Sequence, residues 1–97
     1  MVAISLAVEY SAHAKEKLSI RRVSKKEVGK LIGESKQRFV DIEHDAEVAV
    51  GPVKGRSLVV IYRKVNADIK VITVFYARKL EKLILSKITR SAWRKTG

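Results

Sequence analysis

Hydrophobic residues recur with two different periods along this chain, and the changes of period mark the predicted elements. Over residues 2–8, apolar side chains alternate with small or polar ones, which predicts a strand with one buried face. Ser11 is placed to cap a short helix from Ala12 to about Ser19. Ser24 and Glu27 have the spacing of a capping box, in which each side chain accepts a hydrogen bond from the other residue's backbone amide. We therefore predict one strand followed by two short helices.

The second helix shows further local signals. Val23 and Val28 occupy the two positions of a hydrophobic staple around the cap. Leu31 and Ile32 continue the apolar stripe that Val28 begins. Gly33 is placed to end the helix, because glycine readily adopts the left-handed conformation found after a last helical turn.

From residue 38 the period changes to two, which is typical of strands. A strand is predicted over residues 39–43 and a second over 47–50, with a turn between them and another turn at residues 51–55. Two longer runs of β-branched and aromatic residues follow, at residues 55–65 and 69–76, joined by the polar break Asn66-Ala67-Asp68. Both runs are apolar at odd and even positions, which indicates the middle of a sheet covered at least in part on both faces.

The helical period returns from about Lys79 to Arg94, where the apolar stripe consists of Leu80, Leu83, Ile84 and Ile88. The lone tryptophan, Trp93, is expected to pack this helix against the rest of the protein or to contact a partner. The predicted order is β-α-α-β-β-β-β-α. This order indicates an α+β fold of one domain over residues 1–97, with a mostly antiparallel sheet of four to five strands.

Composition narrows the function classes. The 97 residues contain no cysteine, which excludes disulfides, thiolate metal sites and a cysteine nucleophile. No apolar run approaches the roughly 18 residues of a membrane span. The apolar start lacks a basic region and soon reaches Glu9, so we interpret it as a strand rather than a signal peptide and expect a cytoplasmic protein.

Charge is strongly basic and unevenly distributed. The net charge is +11, from 21 lysines and arginines against 10 acidic residues. Residues 77–97 carry seven of the cations and one acid, Glu81, whereas residues 41–47 carry four acids and no lysine or arginine. This polarity favours nucleic acid, an anionic membrane surface or an acidic protein as partner. We expect no membrane association, because the apolar stripe of the last helix is needed for the core of so small a domain.

Several short patterns resemble a known group of proteins. The run Gly55-x-x-Leu-Val-Val-Ile-Tyr62, followed by Ile69-x-Val-Ile-Thr-Val-Phe-Tyr-Ala-Arg78, resembles the RelE/ParE toxin superfamily. The patterns Tyr10-Ser-x-His-Ala14 and Ser24-x-x-Glu-Val28 resemble an uncharacterised family in that neighbourhood. The resemblance covers nearly the whole chain and implies a RelE-like fold.

The resemblance also implies a function and a set of site residues. It implies a toxin-like protein that binds RNA or the ribosome, cleaves mRNA without a metal or other cofactor, and pairs with an acidic antitoxin. Such a site binds phosphate through fixed cations and stabilises the charge that develops in the transition state. The residues implied as catalytic are Arg56, Arg63, Arg78 and Tyr76, and those implied in nucleic-acid binding are Lys54, Arg56, Arg63, Arg78, Lys79 and Lys82.

His13 is a further candidate. It lies in the first turn of the first predicted helix, where the helix dipole disfavours the charged imidazolium. A neutral histidine there could act as a general base, although a hydrogen bond to nearby backbone is the commoner role.

Three alternatives remain open at this point. The same fold could be a non-catalytic module that binds nucleic acid or protein. The acidic hairpin of Asp41, Glu43, His44, Asp45 and Glu47 could bind magnesium or manganese, but alternation places Asp41 and Glu43 on an outward face, so we expect a solvated hairpin and no metal. Pairing of two copies through an exposed strand edge also remains open.

Overall fold

The computed structural model describes residues 8–96. In chain order the elements are β1 (Val8–Tyr10), α1 (Ala12–Arg21), α2 (Lys25–Glu34), β2 (Gln37–Asp41), β3 (Ala46–Val53), β4 (Arg56–Val65), β5 (Asp68–Ala77), α3 (Leu80–Thr89) and β6 (Trp93–Lys95). The predicted α+β class is confirmed. The predicted strand over residues 2–8 lies mostly outside the described residues, and only Val8 of it falls in β1.

The strands form one mixed sheet in the order β1-β5-β4-β3-β2-β6. The pairs from β5 through to β6 are antiparallel, and β1 alone lies parallel to its neighbour, β5. The two longest strands, β4 and β5, therefore lie inside the sheet, as their continuous apolar character indicates. The sheet has six strands among the described residues, rather than the predicted four to five.

Local hydrogen bonds fix the helix starts that the sequence predicts. The Ser11 hydroxyl accepts from the Ala14 amide at 3.0 Å and opens α1. In α2, the Ser24 hydroxyl accepts from the Glu27 amide at 3.1 Å, and the Glu27 carboxylate accepts from the Ser24 amide at 2.9 Å. Both bonds of the predicted capping box are thus present, and each satisfies a donor that the helix itself leaves free.

The β3–β4 hairpin is closed by a two-residue turn. Lys54 and Gly55 occupy it with φ values of +53° and +73°, which is the type I′ arrangement that matches the twist of antiparallel strands. Gly51 and Pro52, predicted to belong to the turn, instead continue β3. The turn is tight because only two residues separate Val53 from its partner Arg56.

The sheet has an apolar core on each face. On the helix-pair face, where α1 and α2 pack, Leu58, Val60 and Tyr62 of β4 are buried. On the opposite face, which we call the α3 face, Val59 is buried in a cluster that includes Phe39 and Trp93. The rings of Phe39 and Trp93 stack with centroids 5.3 Å apart. Both faces of the central strands are covered, as predicted.

The last part of the chain differs from the prediction. The helix predicted to reach Arg94 ends at Thr89, and Trp93–Lys95 pair with β2 as an edge strand. Ser91, with φ of +59°, reverses the chain between them. Gly33 also does not end α2, which continues to Glu34. Trp93 is 2% exposed. It therefore packs in the core, which is the first of the two roles expected for it, and is not left free at the surface for a partner.

None of the helices in residues 8–96 has the length and apolar character needed to cross a bilayer.

Candidate nucleic-acid interface

The register of β4 and β5 brings most of the predicted cations to one end of the sheet. Ser57 pairs with Ala77, so Arg56 and Arg78 lie one residue further along on the two strands. Lys79 directly precedes α3, and Lys82 lies in its first turn. All four of these basic residues are exposed. Two strand ends and one helix start therefore carry exposed basic residues at the same end of the sheet.

Arg56 and Tyr76 form the most specific contact at this surface. The guanidinium carbon of Arg56 lies 4.0 Å from the centroid of the Tyr76 ring, which is cation–π geometry. Tyr76 pairs with Leu58 in the register and packs in part against the core of the helix-pair face. The buried side of the ring holds the tyrosine in place, and the tyrosine in turn limits the rotamers open to Arg56. The guanidinium is thus pre-oriented at the surface.

Lys54 lies at the same end but uses its charge locally. Its ammonium group donates a hydrogen bond to the carbonyl of Arg22 and forms an ion pair with Glu27 at 3.8 Å. The backbone hydrogen bond from Ser24, together with the nearby charge of Lys54, holds the pKa of Glu27 below its usual value. Lys54 therefore ties the β3–β4 turn to the segment between α1 and α2, and it is less free to bind a phosphate than Arg56 is.

Arg63 does not lie with the other predicted residues. It pairs with Lys70 near the opposite end of the hairpin, and its Nη2 atom donates a 2.8 Å hydrogen bond to the carbonyl of His44. Arg63 lies seven positions after Arg56 along the extended strand β4, which corresponds to roughly 23 Å. Arg56 and Arg63 therefore cannot hold the same phosphate.

His13 is exposed in the first turn of α1. Its ring makes no hydrogen bond within residues 8–96, and it lies on α1, whereas Arg56 and Tyr76 lie on β4 and β5. The structure thus places the predicted general base on a different element from the basic surface.

Few of the cations are neutralised by acidic neighbours. Within residues 8–96, which include every charged side chain of the sequence, only Lys54 and Lys64 among the lysines and arginines form ion pairs with carboxylates. Lys64 pairs with Glu47 at 3.6 Å. Arg56, Arg78 and Lys79 therefore keep their charge available for an external anion.

The acidic hairpin is built differently from the prediction. Asp41 was expected to point outward, but it is 4% exposed. It is covered because β6, a strand the sequence did not reveal, pairs with β2 and sets Trp93 directly opposite Asp41. In the described part of the chain, no three histidine, aspartate or glutamate side chains gather in a way that could hold a metal ion.

Asp41 is held by His44. Its carboxylate accepts from the His44 amide at 3.0 Å and lies 3.0 Å from the His44 Nδ1 atom. Burial alone would raise the pKa of Asp41, but these hydrogen bonds outweigh it, so the pKa lies below its usual value. The contacts close the β2–β3 turn, which is a structural role.

Arg38 makes three side-chain hydrogen bonds that no local sequence signal predicts. Its Nε atom donates to the carbonyl of Ser35 at 3.0 Å, its Nη1 donates to the Tyr62 hydroxyl at 3.1 Å, and its Nη2 donates to the carbonyl of Ile32. Arg38 thereby satisfies carbonyls at the end of α2 that the helix leaves free. Burial raises the pKa of the Tyr62 hydroxyl, which stays protonated.

Comparison of the chain with protein-family models, with curated proteins and with solved structures finds no match. The protein is an α+β domain with exposed basic residues at one end of its sheet, where an arginine is stacked on a tyrosine.

Proposed function

We propose that this protein binds RNA through the Arg56–Tyr76 surface, which comprises Arg56, Tyr76, Arg78, Lys79 and Lys82. The observation that carries the proposal is the guanidinium of Arg56 held 4.0 Å from the centroid of the Tyr76 ring, at the end of the sheet that also carries three exposed cations. A planar guanidinium fixed on an aromatic ring can bind a phosphate with its edge, and its free face can stack on an unpaired base.

Electrostatics support the same proposal. A net charge of +11 attracts a polyanion from a distance, and cations without carboxylate partners can exchange their counterions for RNA phosphates. The acidic residues Glu43 and Asp45 lie on the β2–β3 turn, near Arg63 and away from this surface. Charge repulsion would therefore orient RNA toward the Arg56 end of the sheet.

Cleavage of mRNA is the finer part of the proposal, and it rests on the resemblance to RelE-like toxins. In that interpretation the fold is RelE-like, Arg56 and Arg78 stabilise the charge that develops on the phosphate as the 2′-oxygen attacks and the 5′-oxygen leaves, and the Tyr76 hydroxyl orients the attacking 2′-hydroxyl by accepting a hydrogen bond from it. An acidic antitoxin would cover the same cations. The geometry supports binding more strongly than cleavage, because no histidine or carboxylate of the described residues forms an ion pair with Arg56 or a hydrogen bond with the Tyr76 hydroxyl.

RNA binding is tested by fluorescence anisotropy with a single-stranded oligonucleotide over a series of salt concentrations. Removing Arg56, Arg78 and Lys79 together as alanines should weaken binding and flatten the salt dependence by about 0.7 in log–log slope per lost phosphate contact. The matched control removes three exposed lysines of the α2 region, Lys26, Lys30 and Lys36. Equal losses in the two triple variants would contradict the proposed location.

Cleavage is tested separately by cell-free translation with the purified protein, followed by mapping of mRNA 5′ ends. New ends that persist in a chelator and disappear in the Arg56→Ala/Arg78→Ala variant would support a metal-independent ribonuclease. Intact mRNA together with RNA binding would instead support the non-catalytic binding module.

A further inference from the structure

The junction between α1 and α2 carries two exposed arginines, Arg21 and Arg22, that are not part of the proposed RNA-binding surface. Arg22 has a φ of +56°, in the left-handed region, and its backbone amide closes the end of α1. Glycine, or less often asparagine, is the usual residue at such a position, because a Cβ atom is unfavourable there. The chain therefore has a long basic side chain where glycine would give a more stable end to the helix.

A direct contact ties this junction to the β3–β4 turn. The Lys54 ammonium group donates a hydrogen bond to the Arg22 carbonyl, and Lys54 itself has a φ of +53°. The other non-glycine residues with positive φ in the described part of the chain are Asp45, Asn66 and Ser91, which have short polar side chains. Backbone strain clusters at sites that bind ligands, so its occurrence at two basic residues in contact indicates a binding role.

The same contact places Arg22 beside the proposed RNA-binding surface. Lys54 lies in the two-residue turn that leads into Arg56. Val23, the residue after Arg22, is buried in the core cluster of the helix-pair face, and Tyr76 packs against that same cluster. Since Arg56 stacks on Tyr76, the α1–α2 junction and the Arg56–Tyr76 contact lie at the same end of the sheet and on the same face.

The charges at the junction favour an anionic ligand. Neither Arg21 nor Arg22 forms an ion pair with a carboxylate within residues 8–96. The carboxylate of Glu27, which also lies at this junction, already accepts from the Ser24 amide at 2.9 Å and pairs with Lys54 at 3.8 Å. Cations whose counterions RNA can displace therefore continue from the sheet onto the helix layer.

We propose that Arg22 is a further RNA-binding residue, held beside the Arg56–Tyr76 surface by Lys54. A single strand then crosses the end of the sheet from the start of α3 to the α1–α2 junction. Arg22 binds a phosphate through its guanidinium, and Lys54 is a positioning residue. This inference rests on the proposed RNA binding and extends it, because it gives the path of the strand.

The main test is Arg22→Gly, measured in two ways. Glycine relieves the left-handed backbone, so the midpoint of thermal unfolding should rise by a few degrees. The affinity for a single-stranded RNA oligonucleotide should fall roughly threefold, since one exposed ion pair contributes a factor of a few. Thermal denaturation and fluorescence anisotropy give the two quantities. Unchanged RNA affinity, or a loss of stability together with affinity, would overturn the proposal.

Two further variants separate the position of the charge from the total charge. Arg22→Lys keeps the cation and should retain most of the RNA affinity. Arg94→Gln removes an exposed cation from β6, which pairs with β2 at the far edge of the sheet, and should change the affinity less than Arg22→Gly does. Equal losses in Arg94→Gln and Arg22→Gly would mean that only the net charge matters, and the path to Arg22 would be wrong.

The variant with Arg56, Arg78 and Lys79 as alanines distinguishes failure of this inference from failure of the proposed function. Losses of RNA affinity in both that variant and Arg22→Gly support the continuous path. If only the triple variant loses affinity, RNA binds at the Arg56–Tyr76 surface alone and the inference fails. If only Arg22→Gly loses affinity, Arg22 binds RNA and the proposed surface does not. A wild-type protein that binds no single-stranded RNA overturns both.

Discussion

The guanidinium of Arg56 lies over the ring of Tyr76, although the two residues are on different strands and twenty positions apart in the sequence. The contact depends on the β4–β5 register, which pairs Tyr76 with Leu58, two residues from Arg56. Since side chains two apart on a strand share a face, Arg56 and Tyr76 are diagonal neighbours on the helix-pair face. The contact with Tyr76 therefore restricts the motion of the Arg56 guanidinium at the basic surface.

Arg56→Lys separates the effect of charge from that of shape. Lysine keeps the positive charge but loses the planar group that stacks on Tyr76 and binds phosphate with two donors. If stacking matters, Arg56→Lys should weaken single-stranded RNA binding by an amount close to that of Arg56→Ala, while the salt dependence changes less. Anisotropy measurements at several salt concentrations check both quantities. Full affinity in Arg56→Lys would show that only charge is used.

Arg63→Ala should leave RNA binding unchanged, in contrast to Arg78→Ala. Both substitutions remove one exposed arginine, but only Arg78 lies at the Arg56 end of the sheet. Arg63→Ala should instead loosen the β2–β3 turn, because it removes the hydrogen bond to the His44 carbonyl. Anisotropy and amide hydrogen exchange on the same pair of variants measure the two effects. Equal losses of RNA affinity would mean that the bound RNA extends along the whole hairpin.

Gly51→Ala should destabilise the protein through Leu31. A Cβ atom at Gly51 would overlap the Cδ1 atom of Leu31, so the leucine must move. Leu31 borders a groove of about 550 Å³ between α2 and β3, so its side chain has room to move. We therefore expect the free energy of unfolding to fall by about 1 kcal/mol, which is the low end for overpacking. Urea denaturation gives the value. In a Leu31→Ala background the clash is absent, so the same substitution should cost nothing, and an undiminished cost would rule out this cause.

Asp41→Asn should reduce stability by an amount that depends on pH. The pKa of Asp41 is depressed in the folded state, so its stabilisation is fully present above the unfolded-state pKa of about 3.9 and is lost as pH falls through the lower folded value. At neutral pH we expect a loss of about 1.5–3 kcal/mol, typical of hydrogen bonds to a buried charge.

Urea denaturation of the wild type and Asp41→Asn between pH 7 and pH 2 checks this sign, because the difference in unfolding free energy should shrink toward acid. Glu43→Gln, a change at an exposed position of the same turn, serves as the control and should show little difference at any pH. If the difference in unfolding free energy between the wild type and Asp41→Asn does not change with pH, the shape of the Asp41 side chain, and not its charge, stabilises the fold.

Contacts between residues that are close together in the sequence were predictable. The cap of α1 by Ser11 and the capping box of Ser24 and Glu27 involve partners three residues apart, so their geometry follows from the local sequence. The β4–β5 hairpin was predictable for the same reason, since its strands are joined by a short polar turn at Asn66. These elements place Arg56 and Arg78 at one end of the sheet without further information.

The edge of the sheet was not predictable in the same way. Residues 79–94 have a helical apolar stripe, yet Trp93 belongs to a strand because β2 offers an open edge and Phe39 offers a ring to stack on. The burial of Asp41 follows from that pairing. No spacing in the sequence reports it, since Asp41 and Trp93 come from opposite halves of the chain.

The sequence by itself determined the α+β class, the helix caps, the central hairpin and the basic character of its end, because each depends on neighbouring residues or on total charge. Only the tertiary structure decided that Arg56 stacks on Tyr76, that Arg63 donates to the carbonyl of His44 at the opposite end of the hairpin, and that β6 pairs with β2 and covers Asp41. These relationships depend on strand register and on how helices cross the sheet. Both are set by packing over the whole molecule, and a change of one residue in register would move every side chain of a strand to the other face.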